Sequence, residues 1–239
     1  MADISPSPAL VEKLVYANRI LYDQGVVDGL GHVSVRHDTA PDVFMLSCNR
    51  APAMVSPRDI VCYDLDGEAV SSGAERPYLE RFIHSEIYRA RPDVVAVVHS
   101  HSPSVIPFGV TGNRLRPIFH MAGFLGSGSS HFEISDVAGD TDMLIRNREL
   151  GRALAQSLGD CTCVLMRGHG STVVGTSIEQ VVYRAIYAEV NAKLQMNAQG
   201  MGDVRYLTTV EAGLAAATND SQIGRSWELW RRRIGPIES

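Results

Sequence analysis

The sequence predicts an α/β protein with one sheet, partly antiparallel, between helical layers. Stretches with helical spacing of apolar residues alternate with short extended runs. Several of those runs are joined by short turns, a connection open to antiparallel neighbours and not to parallel ones. One run, Val94–Val98, is apolar without a break, as expected of a central strand covered on both faces.

The elements follow in order. Leu10, Leu14, Ala17 and Leu21 mark a helix over residues 8–24, ended by Gly25. Extended runs come next at His32–Arg36, Val43–Cys48 and Ile60–Asp64, with a polar, Pro-containing turn between the first two and Asp66-Gly67 after the third. Pro77 opens a helix at its first position, with Leu79, Phe82, Ile83, Ile87 and Ala90 along one face. Arg91-Pro92 stops it, because proline restricts the residue before it. Beyond the central strand, residues 104–109 form a short helix and Pro117–Phe119 another strand. Residues 122–142, rich in Gly, Ser and Asp, read as a functional loop rather than a linker. Then come a helix over 144–158, a strand over 161–166, the turn Arg167-Gly168-His169-Gly170, a strand over 171–175 and a long helix from 177 to 199. Thr208-x-x-Glu211 is a capping box that opens a further short helix.

The 239 residues, 45% hydrophobic and 21% charged, suit a single domain spanning 1–239 with a sizeable core. A formal net charge of −5 argues against nucleic acid or an anionic membrane as partner, since a basic stripe is their usual footprint. The one dense basic run, Arg231-Arg232-Arg233, follows Trp227 and Trp230 at the end of a terminal helix, where cations complement the helix dipole. The N-terminus, MADISPSPALVEKL, has neither the basic nor the apolar region of a signal peptide. No stretch approaches the roughly 18 apolar residues of a membrane span. Cys48, Cys62, Cys161 and Cys163 form no CxxC pair, so cysteine-bound zinc is not expected and a reducing cytoplasm is the simplest setting.

His99 and His101 carry the strongest chemical signal. Two residues apart on a strand, they point to the same face about 7 Å apart at the α-carbons, close enough for both imidazoles to reach one metal ion. They also sit at a strand tip, where open sheets place ligands. A hydrogen-bonded pair of surface histidines fits the same spacing. His169, between Gly168 and Gly170 in a tight turn, adds a third imidazole, and three histidines leave a site open to substrate. Taken alone it could equally be a turn residue without a role. Glu80 falls in the first turn of the Pro77 helix, where the helix dipole favours a carboxylate whatever its function. His84 shares its face one turn on, and either a supporting role or a surface one fits.

Gly31-His32-Val33-Ser34, Glu80, the run RPDVVAVVHSHS at 91–102 and RGHGSTVVGTSIEQ at 167–180 resemble the class II aldolase/adducin family, in order over about residues 8–200. The resemblance implies a three-layer α/β/α fold with a mixed, largely antiparallel central sheet. It also implies a divalent metal held by His99, His101 and His169, with Glu80 as acid/base, and a homotetramer with sites between subunits. Tyr206, in the C-terminal segment, could then enter a neighbour's site. Zinc and manganese lead the expected ions, with iron and cobalt compatible, because three imidazoles accept several first-row metals.

The family holds sugar-phosphate aldolases, an epimerase, a dehydratase, decarboxylases and non-catalytic adducin, so the reaction must be argued from the site. Retention of the three histidines and the glutamate argues against the adducin-like option. Sugar-phosphate members grip phosphate with Gly-Asn-(Val/Ile)-Ser, a Thr-Gly turn and a Ser-Ser pair directly before the glutamate. Here His32 replaces the amide, Cys48-Asn49-Arg50 stands near the second position, and Tyr78-Leu79 precedes Glu80, while Ser71-Ser72 lies too far upstream. Donors suited to a phosphate dianion are largely gone. Where aldolases carry a tyrosine proton donor, about twenty residues past the HxH pair, the match places His120, an imidazole able to donate a proton.

Gly-His-Val-Ser, Asp142-Met143-Leu144-Ile145 and the helix reading Ala185-Ile186-Tyr187-x-Glu189-x-Asn191-Ala192-x-Leu194-Gln195 are similar to the branch that decarboxylates hydroxylated aromatic or pyridine dicarboxylates. Such an enzyme needs a cation for a spare carboxylate, and Arg50 and Arg76 are candidates, as guanidinium matches carboxylate geometry. It also needs an acid to protonate the ring carbon, Glu80 or His120. The expectation is a metal-dependent decarboxylase of a small hydroxylated aromatic or heteroaromatic carboxylate. An aldolase acting on a non-phosphorylated hydroxy-carbonyl compound is the enzymatic alternative, and an adducin-like interaction module the non-enzymatic one.

Overall fold

Seven strands form one sheet in the computed structural model, which describes residues 5–70 and 77–237. They are β1 (His32–Arg36), β2 (Val43–Ser47), β3 (Ile60–Asp64), β4 (Ala96–Ser100), β5 (Ser130–Phe132), β6 (Cys163–Met166) and β7 (Gly170–Gly175). Their order across the sheet is β3-β2-β1-β4-β7-β6-β5. Every neighbouring pair is antiparallel except β5 and β6. The mixed, largely antiparallel sheet implied by the family resemblance is therefore present.

The helices are α1 (Pro8–Asp23), α2 (Arg81–Ala90), α3 (Ile106–Val110), α4 (Ser135–Ala138), α5 (Arg148–Leu158), α6 (Ile178–Met201), α7 (Thr209–Asp220) and α8 (Ile223–Ile234). Strand periodicity sorts the core into two layers. Val33, Val35, Ala96 and Val98 pack with Leu14, Val181 and Trp227 on the face covered by α1, α6 and α8. Phe44, Val97 and Val174 pack with Ile83, Ile87 and Leu154 on the face covered by α2 and α5. His32, Ser34 and His99 alternate with the first set, so they fall on the α2 face. Ser7 caps α1 by accepting from the Leu10 N–H, and Thr208 and Glu211 form the expected box at the start of α7.

Several boundaries move for identifiable reasons. The helix expected from Pro77 begins at Arg81, because Glu80 has non-helical dihedrals (φ −91°, ψ 19°). The helix expected from 144 begins at Arg148, where the Asn147 side chain accepts from the Leu150 N–H. β4 starts and ends two residues later than the apolar run, so His99 lies within the sheet. The expected loop at 122–142 contains most of a 3-10 turn (His120–Leu125), the edge strand β5 and α4.

Pro117–Phe119 is not a strand. The extended chain at 114–118 has its backbone satisfied by amide side chains of α6 instead. Asn191 accepts from the Ile118 N–H (3.1 Å) and donates to the Arg116 carbonyl (2.8 Å). Gln195 accepts from the Arg116 N–H (2.9 Å) and donates to the Arg114 carbonyl (2.9 Å). Two buried amides thus do for this segment what a neighbouring strand would do.

Candidate metal centre and cleft

Three strand ends and one helix start converge on a single point. β1 and β4 pair with His32 opposite His99, and β4 and β7 pair with His99 opposite Thr172. His101 lies one residue past β4, and His169 one residue before β7. Two glycines permit the second placement. Gly168 has φ 65°, a left-handed conformation that side chains disfavour. A Cβ on Gly170 would stand 2.2 Å from the Ser100 carbonyl, so β7 can lie this close to β4 only without one.

The result is a cluster of imidazole nitrogens. Nε2 of His101 stands 3.2 Å from Nε2 of His99 and 3.1 Å from Nε2 of His169. Glu80 completes the group, its Oε2 lying 3.7 Å from the His99 nitrogen and 3.5 Å from that of His169. One ligand atom from each of the four residues falls within 4.8 Å of all the others. Burial, together with the neighbouring imidazoles, pushes His99 well below the ordinary imidazole range, and it lowers His101 as well. Neutral imidazoles with converging lone pairs repel one another unless a cation lies between them. Donor atoms on tetrahedral metal–nitrogen bonds of about 2.0–2.1 Å stand about 3.3 Å apart, close to the spacing seen here. The donor set therefore fits a divalent first-row metal. Behind His99, its Nδ1 lies 3.4 Å from Thr172 Oγ1, the kind of outer contact that orients a metal-binding ring.

Glu80 does not cap α2. Its Oε1 accepts from the Ile145 N–H (2.9 Å), leaving Oε2 toward the imidazoles. Burial raises this carboxyl, but the hydrogen bond with His169, the fields of His99 and His169 and the Ile145 N–H outweigh it, leaving it at about 2. The segment that supplies Ile145 also holds Met143 (φ 70°), among the described residues the one non-glycine in the left-handed region.

Above the cluster opens a cleft of about 240 Å³. His32, Glu80 and His101 line its floor, and Leu30, Asn49, Tyr78, Leu79 and Leu144 line its walls. The His32 ring packs against Tyr78 (4.7 Å between centroids) and His99 (5.0 Å).

The remaining sequence candidates are not gathered here. Arg50 lies beside the cleft but not in its wall: its Nε donates to the Met54 carbonyl (2.9 Å) and faces Asp59 (3.5 Å). Its neighbour Asn49 takes the wall position, and Tyr78 bonds the Arg50 backbone, its hydroxyl donating to the carbonyl (2.6 Å). Arg76 lies outside the described residues. His120 is exposed at the start of the 3-10 turn, and its carbonyl accepts from Asn219 (2.7 Å). The Tyr206 hydroxyl accepts from Gln195 (3.2 Å) and Gln199 (3.3 Å), with the Arg116 guanidinium 4.0 Å above its ring. Asn49 and Tyr78 were visible in the sequence only as departures from a phosphate-binding pattern, and nothing in it marked them as walls.

Comparison with known proteins agrees with this geometry. The chain is 38% identical to Decarboxylase tropJ of Talaromyces stipitatus, over 96% of this chain and 95% of that protein. It is 33% identical to the 3,4-dihydroxyphthalate decarboxylase of Arthrobacter keyseri, over 80% and 79% of the two chains. In fold it is similar to the L-fuculose 1-phosphate aldolase of Glaciozyma antarctica, with a TM-score of 0.78 and 23% identity over 95% of this chain and 90% of that one. Residues 12–196 match the family described as Class II Aldolase and Adducin N-terminal domain. The chain belongs to the class II aldolase/adducin family.

Proposed function

We propose that this protein is a divalent-metal-dependent, non-oxidative decarboxylase of a small hydroxylated aromatic or heteroaromatic carboxylate, a carboxy-lyase rather than an aldehyde-lyase. Relatives that span most of the chain are named decarboxylases, two of them for dihydroxyphthalate. The observation that carries the substrate class is the cleft itself. It joins a polar floor to walls of Leu30, Tyr78, Leu79 and Leu144, a surface for a flat ring. At about 240 Å³ it is smaller than the ~300–1,000 Å³ of sites for drug-sized ligands.

The same structure argues against a phosphate cradle. Ser34, the serine of the Gly-His-Val-Ser stretch, is fully buried, with its hydroxyl between His84 and Tyr88. It has no free valence to offer a dianion.

His99, His101 and His169 would hold the metal, with Glu80 beside it. Once bound, the ion supplies Lewis acidity for the electron pair released as carbon dioxide leaves. Zinc or manganese, and then iron or cobalt, suit three imidazoles and a carboxylate. Glu80, ionised at rest, is placed to take up a proton at Oε2 and return it, while its bond to the Ile145 N–H fixes the direction in which that oxygen points. A substrate ring seated against Tyr78 and the leucines would leave little space for water at the reacting carbon, so we assign its proton to a protein group. Arg50 and Arg76 are the cations we assign to a spare carboxylate. His120, exposed on this chain, would act across a subunit boundary in the homotetramer we propose, whose mass light scattering would report.

The test is direct. Metal-loaded protein is incubated with ortho-hydroxy aromatic dicarboxylates and, separately, with fuculose and ribulose phosphates. Release of carbon dioxide, with solvent deuterium at the vacated ring carbon, is the expected result. Cleavage of a sugar phosphate into two carbonyl fragments, with no carbon dioxide from any aromatic acid, would return the assignment to an aldolase.

A further inference from the structure

A chain of buried hydrogen bonds runs from the cleft floor to the back of α2. His32 Nδ1 lies 2.7 Å from His84 Nε2, and His84 Nδ1 lies 2.6 Å from Ser34 Oγ. Ser34 Oγ lies 2.8 Å from the Tyr88 hydroxyl, which in turn donates to the Val95 carbonyl (3.4 Å). Ser34 and His84 are fully buried, and Tyr88 is 1% and His32 4% exposed. The geometry needs both β1 and α2: His32 and Ser34 are two apart on one strand face, and His84 and Tyr88 are four apart on one helix face.

Donor counting gives the chain a direction. A carbonyl can only accept, so Tyr88 spends its proton on Val95 and must accept from Ser34. Ser34 has one proton, so it accepts from His84 Nδ1–H. Burial holds His84 at about 3, so this imidazole is neutral and its Nε2 can only accept. The His32 proton is thereby placed on Nδ1. The opposite direction loses the bond to Val95. It also aims an N–H from His32 toward the floor where three imidazoles and a cation would meet.

We propose that His84, Ser34 and Tyr88 are positioning residues that lock His32 in its Nδ1–H tautomer, so that the Nε2 lone pair faces the cleft as acceptor for a hydroxyl of the substrate. This rests on the aromatic-substrate reading above and adds to it what recognises the ring hydroxyl. His32 is not among the four residues whose ligand atoms cluster, so its lone pair remains for the ligand. The arrangement also accounts for a buried histidine at position 84 with both nitrogens engaged, a residue that the metal centre does not use.

The tautomer can be read without any turnover. Long-range proton–nitrogen correlation NMR on histidine-labelled protein, metal-free and zinc-loaded, distinguishes the two imidazole nitrogens. The His32 signals are those lost in His32→Gln. The expected result is a protonated Nδ1 and a bare Nε2 in the wild type; the reverse assignment overturns the proposal. Tyr88→Phe keeps the ring and frees the Ser34 hydroxyl to donate to His84, so the chain should reverse and move the His32 proton to Nε2. If Tyr88 served packing alone, the tautomer would stay where it was. Calorimetry with zinc-loaded protein then compares 2,5-dihydroxybenzoate with salicylate, which chelate through the same ortho hydroxyl and carboxylate and differ by one hydroxyl that cannot join the chelate. One hydrogen bond to an oriented acceptor should favour the dihydroxy acid by about tenfold, and Tyr88→Phe should erase that preference. Equal affinity of the two acids in the wild type would overturn the acceptor role. A protein that shows the Nδ1–H tautomer and the preference, yet releases no carbon dioxide from any aromatic acid, would sink the decarboxylase reading and leave this one standing.

Discussion

The floor of the cleft and its rim are built by different means. His99, His101 and His169 take their positions from backbone pairing: β4 lies between β1 and β7 in fixed register, and each histidine is on or within one residue of a strand end. The rim residues Asn49, Arg50 and Tyr78 sit on connecting segments, with Arg50 and Tyr78 held by bonds from side chain to backbone. A one-residue register shift of β4 would turn His32's partner His99 to the other face of the sheet and carry His101 with it, whereas the rim can adjust locally. Chemistry common to a family suits the first kind of support, and substrate preference suits the second.

The largest effect should come from breaking the floor. His99→Ala or His169→Ala is expected to remove bound metal and all activity. Elemental analysis alongside circular dichroism checks this; full metal occupancy in a folded variant would overturn the ligand assignment. Glu80→Gln should come next. The amide oxygen can still accept from Ile145, so the fold and the metal should be retained, while turnover drops by about 10²–10⁴-fold for want of an exchangeable proton. Single-turnover kinetics showing less than a tenfold loss would reduce Glu80 to an anchor for the Ile145 segment.

Gly170→Ala sharpens the comparison, because it alters the floor without touching a ligand. Its new methyl cannot coexist with the Ser100 carbonyl, so β7 must move away from β4. A stability loss of about 1–3 kcal/mol in denaturant titration is expected, with weakened metal affinity. Unchanged metal affinity would show that the ion, not the sheet, sets the histidine spacing. The smallest effect belongs to the rim. Arg50→Ala removes a half-exposed guanidinium bonded to the Met54 carbonyl and facing Asp59, so stability should change by about 0–1 kcal/mol. KM for a dicarboxylate should rise with kcat kept, and a fall in kcat alone would contradict a binding role.

The same division decides what could be read from the sequence. β1 to β3, the strand that carries His99 and the turn around His169 are legible because apolar runs and glycines mark them locally. The expected strand at Pro117–Phe119 fails because its partners are Asn191 and Gln195, more than seventy residues away on α6. Those two residues show in the sequence as a likeness to the decarboxylase branch, and their work as a splint for residues 114–118 appears only in three dimensions. Glu80 is picked out by the family resemblance, while the first-turn position that the local pattern gives it is one it does not occupy. Its real anchor, the Ile145 N–H, comes from a segment read as the start of a helix. His84 remained ambiguous because a fully buried imidazole and a surface one look alike until the partners at Ser34 and His32 are known.

The close approach of Gly170 to Ser100 has a consequence for which ions the protein can accept. Where two closely paired backbones set the gap between His169 and the His99–His101 pair, widening it to suit an occupant would disrupt the pairing of β4 with β7. Calcium, which prefers six to eight oxygens at about 2.3–2.6 Å, would find three nitrogens and a single carboxylate, a donor set of the wrong kind. Ions that accept nitrogen at shorter range meet a cage already sized for them, and little of the binding energy goes into reshaping it. Selection against the abundant hard cations of a cell would then rest in part on the absence of one methyl group, at a residue outside the donor set.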